Sequence, residues 1–257
     1  MPSTHMVLRP DVFDDLPSIT AAFSTRHGGV SDAPYDTLNL GLTTGDARTD
    51  VEENRQRFCE EIGAQPDAIV QAEQVHGNTV RVVDVLNAAS AVKPAACDGF
   101  ATRVPGHLLT VTVADCAAVL VADADAGVVG ICHSGWRGTV ANIAGQTVRT
   151  MTDLGGTTAA MRAYVSPCIS LEAFEVGEEV AEQFDSAYVH RRDAWIRPHV
   201  DLKAAFRDQL LSAGLPDAHI DVSPYCTMKD NSDFFSYRAG NGTTGRLMGG
   251  IMVEGEV

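Results

Sequence analysis

The stretch Asp115-Cys-Ala-Ala-Val-Leu-Val-Ala-Asp-Ala-Asp-Ala-Gly-Val-Val-Gly-Ile-Cys-His-Ser-Gly-Trp-Arg-Gly138 decides how this chain is read. Two apolar, β-branched runs, Ala117–Asp123 and Val128–Cys132, flank a short Ala/Asp/Gly segment, the pattern of two strands joined by a tight turn. A turn centred between Ala124 and Asp125 sets Cys116 directly opposite His133. Directly opposed residues of an antiparallel pair have Cβ atoms roughly 4.5–5.5 Å apart. That separation suits two ligands of one metal, with bonds of roughly 2.0–2.3 Å. It equally suits a thiolate–imidazole pair. Taken singly, Cys116 reads as a buried structural thiol as readily as a functional one, and His133 as a hydrogen-bonded strand-end residue. Their juxtaposition makes them a candidate site.

Outward from this hairpin, further strand patterns lie at Ala21–Ser24, Thr79–Val85, Leu108–Ala114, Arg162–Val165 and Ile220–Val222. Asp50-Val-Glu-Glu53 reads as a capping box, followed by Val51, Phe58 and Ile62 on one helical face and Gly63 as a stop. Thr139 to Leu154 carries Val140, Ile143, Ala144, Val148 and Met151 at helical spacing before Gly155-Gly156. Asp201 to Ala213 carries Leu202, Phe206 and Leu210 before Gly214, and a shorter helix fits Glu178–Phe184. Strands outnumber helices and several are joined by short turns. The expected fold is α/β, a mixed β-sheet core with helices packed on its outer faces. With 257 residues, no repeat at a ~20–50-residue period and no long linker, one domain over residues 1–257 is expected.

Composition narrows the partners. A hydrophobic content of 45% is that of an ordinary globular core. The net charge of −15 argues against nucleic acid and against anionic membrane surfaces, both of which need a basic face. A small anion stays open, because a few placed arginines bind phosphate inside an acidic protein. The N-terminus lacks the basic and apolar segments of a signal peptide. No apolar run approaches ~18 residues. The six cysteines are scattered rather than spaced as a disulfide scaffold, which favours a cytoplasmic location.

A third candidate ligand is His76, in Gln71-Ala-Glu-Gln-Val-His-Gly77, where the following glycine permits close approach of backbone or ligand. A polar loop histidine is the plainer reading of it alone. Together, His76, Cys116 and His133 suit a catalytic zinc with an open fourth position, and copper is compatible with the same donors.

The chain resembles the YfiH-like laccase-domain family, whose members carry the names polyphenol oxidase, purine nucleoside phosphorylase and peptidoglycan editing factor. The matching segments run from Phe23-Ser-Thr-Arg-His-Gly-Gly-Val-Ser31, Leu38-Asn-Leu-Gly41, Gly45-Asp46 and Asn54-Arg55, through Gln74-Val-His-Gly77, Ala114-Asp-Cys116 and His133-Ser-Gly-Trp-Arg-Gly138, to Glu175-Val-Gly177, Cys226-Thr227, Phe235-Ser-Tyr-Arg238 and Thr244-Gly-Arg246. The resemblance implies zinc ligation by His76, Cys116 and His133, the trio already singled out. Some positions depart from the family pattern: Ser134 replaces an alanine, Ala117-Ala118 a continuation toward proline, Asp98-Gly99 an Asp-Ala pair, and Ser166-Pro167 a Gly-Pro pair. None removes a ligand.

The resemblance implies phosphorolysis of purine nucleosides (adenosine, inosine, guanosine or methylthioadenosine) with phosphate as co-substrate, and deamination of adenosine. Zinc with three protein ligands lowers the pKa of a bound water toward ~7, which suits attack at purine C6. Cys116 and His133 are the expected catalytic residues. Arg26 and Arg238 are the expected substrate-binding residues, with Arg137 and Arg246 behind them as phosphate holders, although each arginine alone reads equally as an ion pair. Asp115, Asn39, Asn54 and Arg55 read as loop anchors. Two alternatives remain. A Cys116–His133 hydrolase, with Trp136 and Gly138 shaping its pocket, would serve peptidoglycan-precursor editing. A copper polyphenol oxidase needs many histidines paired as His-x-His, and the eight present include no such pair.

Overall fold

The computed structural model describes residues 5–84 and 96–255. Two mixed β-sheets pack face to face. The first runs in the order β1 (Val7–Leu8), β2 (Ile19–Ser24), β13 (Leu247–Val253), β6 (Leu108–Val113) and β3 (Ile69–Val70). The second runs β12 (Ile220–Val222), β9 (Arg162–Val165), β7 (Ala117–Asp123), β8 (Val128–Ser134), β5 (Gly99–Thr102) and β4 (Val80–Val83). A two-stranded ribbon, β10 (Val189–His190) with β11 (His199–Val200), lies outside both. The expected mixed β core with outer helices is present, built from two sheets.

The apolar runs are continuous because β7 and β8 are buried on both faces. Ala118, Leu120, Ala122, Val129 and Ile131 point between the sheets, against Phe23, Leu109, Val111, Leu247 and Ile251. Val119, Val121, Val128 and Cys132 point outward, against α3 (Ile143–Asp153) and α5 (Leu202–Ser212), which contribute Ala144, Val148, Met151, Phe206 and Leu210. On the other outer face, Phe58 and Ile62 of α1 (Arg48–Ile62) pack on Ala22, Leu108, Met248 and Met252. Among the described residues no helix is long and apolar enough to cross a membrane.

The strands Ala117–Asp123, Arg162–Val165 and Ile220–Val222 form as expected, while β4 spans Val80–Val83 and Val85 lies outside the described residues. The hairpin register differs from expectation. Asp123 pairs with Val128 and Ala118 with His133, so Cys116 does not face His133. A four-residue connection replaces the two-residue turn: Asp123 Oδ1 accepts from the Ala126 N–H, and Gly127 takes a φ of +62° that favours glycine. The slip is of two residues, so side-chain parity survives and Cys116 stays on the His133 side.

Two helices also differ. α1 starts at Arg48, with no side-chain cap at Ala47, because Asp46 already turns the chain there through Ala47 N–H, Ser31 Oγ and Asn39 Nδ2. The Asp50 capping box therefore does not form, although Gly63 ends the helix at φ +77° as expected. The Thr139–Leu154 helix is broken into α2 (Trp136–Val140) and α3, because Asn142 adopts a left-handed conformation and caps α3 by accepting from the Gly145 N–H. α5 follows its Asp201 cap, while the Glu178–Phe184 segment yields only α4 (Glu178–Ala181).

β13 was not marked by periodicity, since Gly249-Gly250 interrupts it as a turn would. It is instead a central strand, and a Cβ on Gly249 would lie 2.7 Å from Ala118 Cβ of the facing sheet. The glycine is there for close approach of the two sheets. The chain passes from the first sheet to the second twice, between β3 and β4 and between β6 and β7. Both passages end beside the carboxyl end of β8.

Candidate metal centre

His76, Cys116 and His133 converge from these three places, with their donor atoms all within 4.8 Å of one another. His76 lies in the β3–β4 passage at φ +60°, a conformation costly for a residue with a Cβ. Its backbone is held there by Asp98, whose carboxylate accepts from the N–H groups of Val75 (3.2 Å), His76 (2.9 Å) and Gly77 (2.7 Å). The same carboxylate accepts from His133 Nδ1 at 2.8 Å, which turns Nε2 of that ring toward the cluster. The two imidazoles meet edge to face, 4.7 Å between centroids.

Cys116 ends the β6–β7 passage. Asp115 before it has φ +80° and ties down three neighbours: its Oδ1 accepts from Thr227 Oγ1 (2.6 Å), its Oδ2 from the Arg238 N–H (2.7 Å) and its carbonyl from the Ile169 N–H (3.0 Å). Its place as a loop anchor matches the sequence reading. Gly135 clears the volume beside the thiol, since a Cβ there would lie 2.7 Å from Cys116 Sγ and 3.3 Å from His76 Cδ2.

The charges of the cluster are mutually arranged. Burial pushes the Cys116 thiol up, but the His133 and His76 imidazoles outweigh it and bring the pKa down to about 6. Burial pushes His133 down, and the Cys116 thiolate with Asp98 outweighs that, raising it to about 9. Asp98 is raised by burial and lowered by His133 and the Gly77 N–H, and it ends below its ordinary value. By contrast, burial, helped by neighbouring negative charge, pushes Cys132 and Cys168 up to about 12, leaving them inert as nucleophiles or ligands. Cys116 is thus the thiol set up as a donor. One thiolate and two imidazoles fit a borderline divalent metal with a position left open. Among the described residues this is the one cluster of three such ligands.

Asp98 was missed as a functional residue. In the second sheet Gly99 pairs with Cys132, which brings Asp98 beside His133, and the His133 N–H donates to Asp98 O at 2.7 Å. The Asp98-Gly99 pair, matched to an Asp-Ala pair of the family pattern, was the available signal.

The arginines fall into different settings. Arg26 donates to Asp36 O and Asn231 O, pairs with the Asp36 carboxylate and lies over Phe235. Arg238 is exposed and directs both Nη atoms to Glu175 O. Arg137 is exposed and lies over Trp136. Asn54 and Arg55 anchor loops: Asn54 Nδ2 reaches Ser31 Oγ and Asn39 O, and Arg55 reaches Leu40 O and Gln71 Oε1.

Residues 20–254 match the model of a family described as multi-copper polyphenol oxidoreductase laccase. Purine nucleoside phosphorylase ORF3 of Streptomyces griseus is 39% identical over 235 residues, covering 91% of this chain and 94% of that protein. Adenosine deaminase RL5, from an unknown prokaryotic organism, is 35% identical over 242 residues, covering 90% of this chain and 92% of that protein. Among solved structures, the hypothetical protein YfiH of Bacillus licheniformis superposes with a TM-score of 0.89 at 29% identity, covering 97% of each chain.

Proposed function

The chain belongs to the multi-copper polyphenol oxidoreductase laccase family, and on that premise we propose that it is a zinc-dependent enzyme of purine nucleosides. It cleaves them with inorganic phosphate and deaminates adenosine, as one cytoplasmic domain. The observation that carries this is the His76–Cys116–His133 cluster, the one of its kind among the described residues, in a chain similar, over about nine-tenths of its length, to proteins named for those two activities. Zinc, when bound, supplies a Lewis acid with an open position.

The chain's own residues do the rest. Cys116, His76 and His133 hold the metal, and Asp98 keeps His133 Nδ1 protonated so that Nε2 is the donor. His76 is exposed, so substrate reaches the cluster from its side. Arg26 and Arg238 flank the approach as substrate contacts. In phosphorolysis a phosphate oxygen bonds to ribose C1′ as the C1′–N9 bond breaks. Its electron pair leaves with the purine, which takes up one proton from solvent or dihydrogen phosphate.

A copper phenol oxidase would need several metal centres, which one cluster does not support. The thiolate beside His133 supports a cysteine hydrolase as second reading, but that dyad leaves the converging His76 without a purpose. The test is elemental analysis of protein purified without added metal, together with product analysis on adenosine plus phosphate. About one zinc per chain, with adenine and ribose 1-phosphate or inosine formed, supports the proposal. A metal-free protein whose Cys116 alkylates readily and which turns over no nucleoside overturns it.

A further inference from the structure

Arg246 stands just before β13 at the same end of the sheets as the cluster. Leu247 pairs with Val113, and Gly249 pairs with Phe23. Continued by one step, the first of these registers sets Arg246 beside Ala114, two residues before Cys116. Its backbone is fixed on both sides: its N–H donates to Asn39 Oδ1 (2.8 Å), and its carbonyl accepts from the Leu40 N–H (3.0 Å). Gly41 leaves room for its stem, since a Cβ there would lie 2.6 Å from Arg246 Cγ.

Its guanidinium is half-buried, yet among the described residues no carboxylate forms an ion pair with it. Nη1 donates to the carbonyls of Thr244 (2.9 Å) and Gly245 (3.1 Å), and the group lies 5.7 Å from the centre of the Tyr237 ring. Among the described residues no acceptor is found for Nε or Nη2. Burial pulls its pKa below the ordinary value, against the charges of Tyr237, Cys116 and Asp115. The arginines named earlier are set differently. Arg26 is offset by Asp36, Arg137 and Arg238 are exposed to screening water, and Arg55 spends Nε and Nη2 on Leu40 O and Gln71 Oε1. A half-buried cation without a carboxylate partner, its Nε–Nη2 edge turned to solvent, is placed to receive an anion.

We propose that Arg246 is the anion-binding residue of this site, taking inorganic phosphate on its free Nε–Nη2 edge beside the His76–Cys116–His133 cluster. The planar fork matches two phosphate oxygens at once. Its fixed backbone and its contacts with two carbonyls hold it in that pose before phosphate arrives. This rests on the phosphorolysis reading and adds to it the residue that selects the co-substrate.

The experiment is titration of the zinc-loaded protein with inorganic phosphate by calorimetry, alongside phosphorolysis kinetics, for wild type, Arg246→Met, Arg246→Lys, Arg26→Met and Arg238→Met. The expected result is a phosphate Kd and KM raised roughly 10–100-fold in Arg246→Met, the worth of charge-assisted hydrogen bonds. Arg246→Lys falls between, and nucleoside KM changes less than threefold. An unchanged phosphate Kd in Arg246→Met, or a larger loss in Arg26→Met or Arg238→Met, overturns the assignment. If Arg246→Met fails to fold, Arg246→Lys decides: a phosphate Kd equal to wild type rejects the bidentate contact. A wild type that binds phosphate through Arg246 but forms no ribose 1-phosphate refutes phosphorolysis and leaves the anion site standing.

Discussion

His133 Nδ1 donates to Asp98 Oδ1 at 2.8 Å where Asp98 has no exposed surface and the His133 side chain only 4%. An ionised carboxylate can only accept, so this bond fixes the ring's tautomer as well as its orientation. Asp98 also accepts from the Val75, His76 and Gly77 N–H groups, and so it sets two of the three ligands at once. In Asp98→Asn one oxygen becomes an NH₂ that opposes N–H donors. Zinc affinity is expected to fall roughly 10–100-fold, the usual effect of losing such an outer partner. Competition against a chromogenic chelator measures it, and unchanged affinity in a folded variant would show that Asp98 has no hold on the ligands.

Cys116→Ala removes the one thiol whose pKa is brought down, to about 6. Both metal content and turnover are expected to vanish, while thermal stability of the metal-free protein changes little because Cys116 is only half-buried. A fully active, metal-free variant would refute the zinc assignment.

Gly135→Ala is expected to strip the metal without touching a ligand, because the new Cβ would sit 2.7 Å from Cys116 Sγ. Gly63→Ala is the matched control. Nothing lies within 4 Å of its Cβ position, so it loses only about 1–2 kcal/mol from the positive φ at the end of α1. Elemental analysis and chemical denaturation on both variants separate the effects. Equal zinc in the two would mean that the cluster tolerates the crowding.

Gly249→Ala should destabilise the fold by about 1–3 kcal/mol, the range for overpacking a tight core, because its Cβ would meet Ala118 Cβ at 2.7 Å. Urea unfolding reads it directly. No loss of stability would place slack between the two sheets where the structure shows contact.

Much of this was legible beforehand. The apolar runs of β7, β9 and β12 give their bounds outright, and residue type and setting single out the three side chains that the fold brings together. What periodicity did not carry was the route of the backbone between sheets. Whether Cys116 faces His133 depends on two more residues in the Ala124–Gly127 connection, and only the Asp123–Ala126 hydrogen bond settles their number. Gly249 looked like a break because a missing side chain signals a turn or a tight contact with equal force. Asp98 stayed hidden because its partners, 35 residues away at His133 and about 22 away at His76, are brought to it by pairing across the sheet.

The two places where the backbone leaves the first sheet for the second are also where His76 and Cys116 sit, each next to or at a positive φ. A metal bound there and to β8 would act as a clasp on the open seam of the sandwich. Letting go of it would loosen both passages together, so release of the ion and fraying of that edge should be a single event on one timescale.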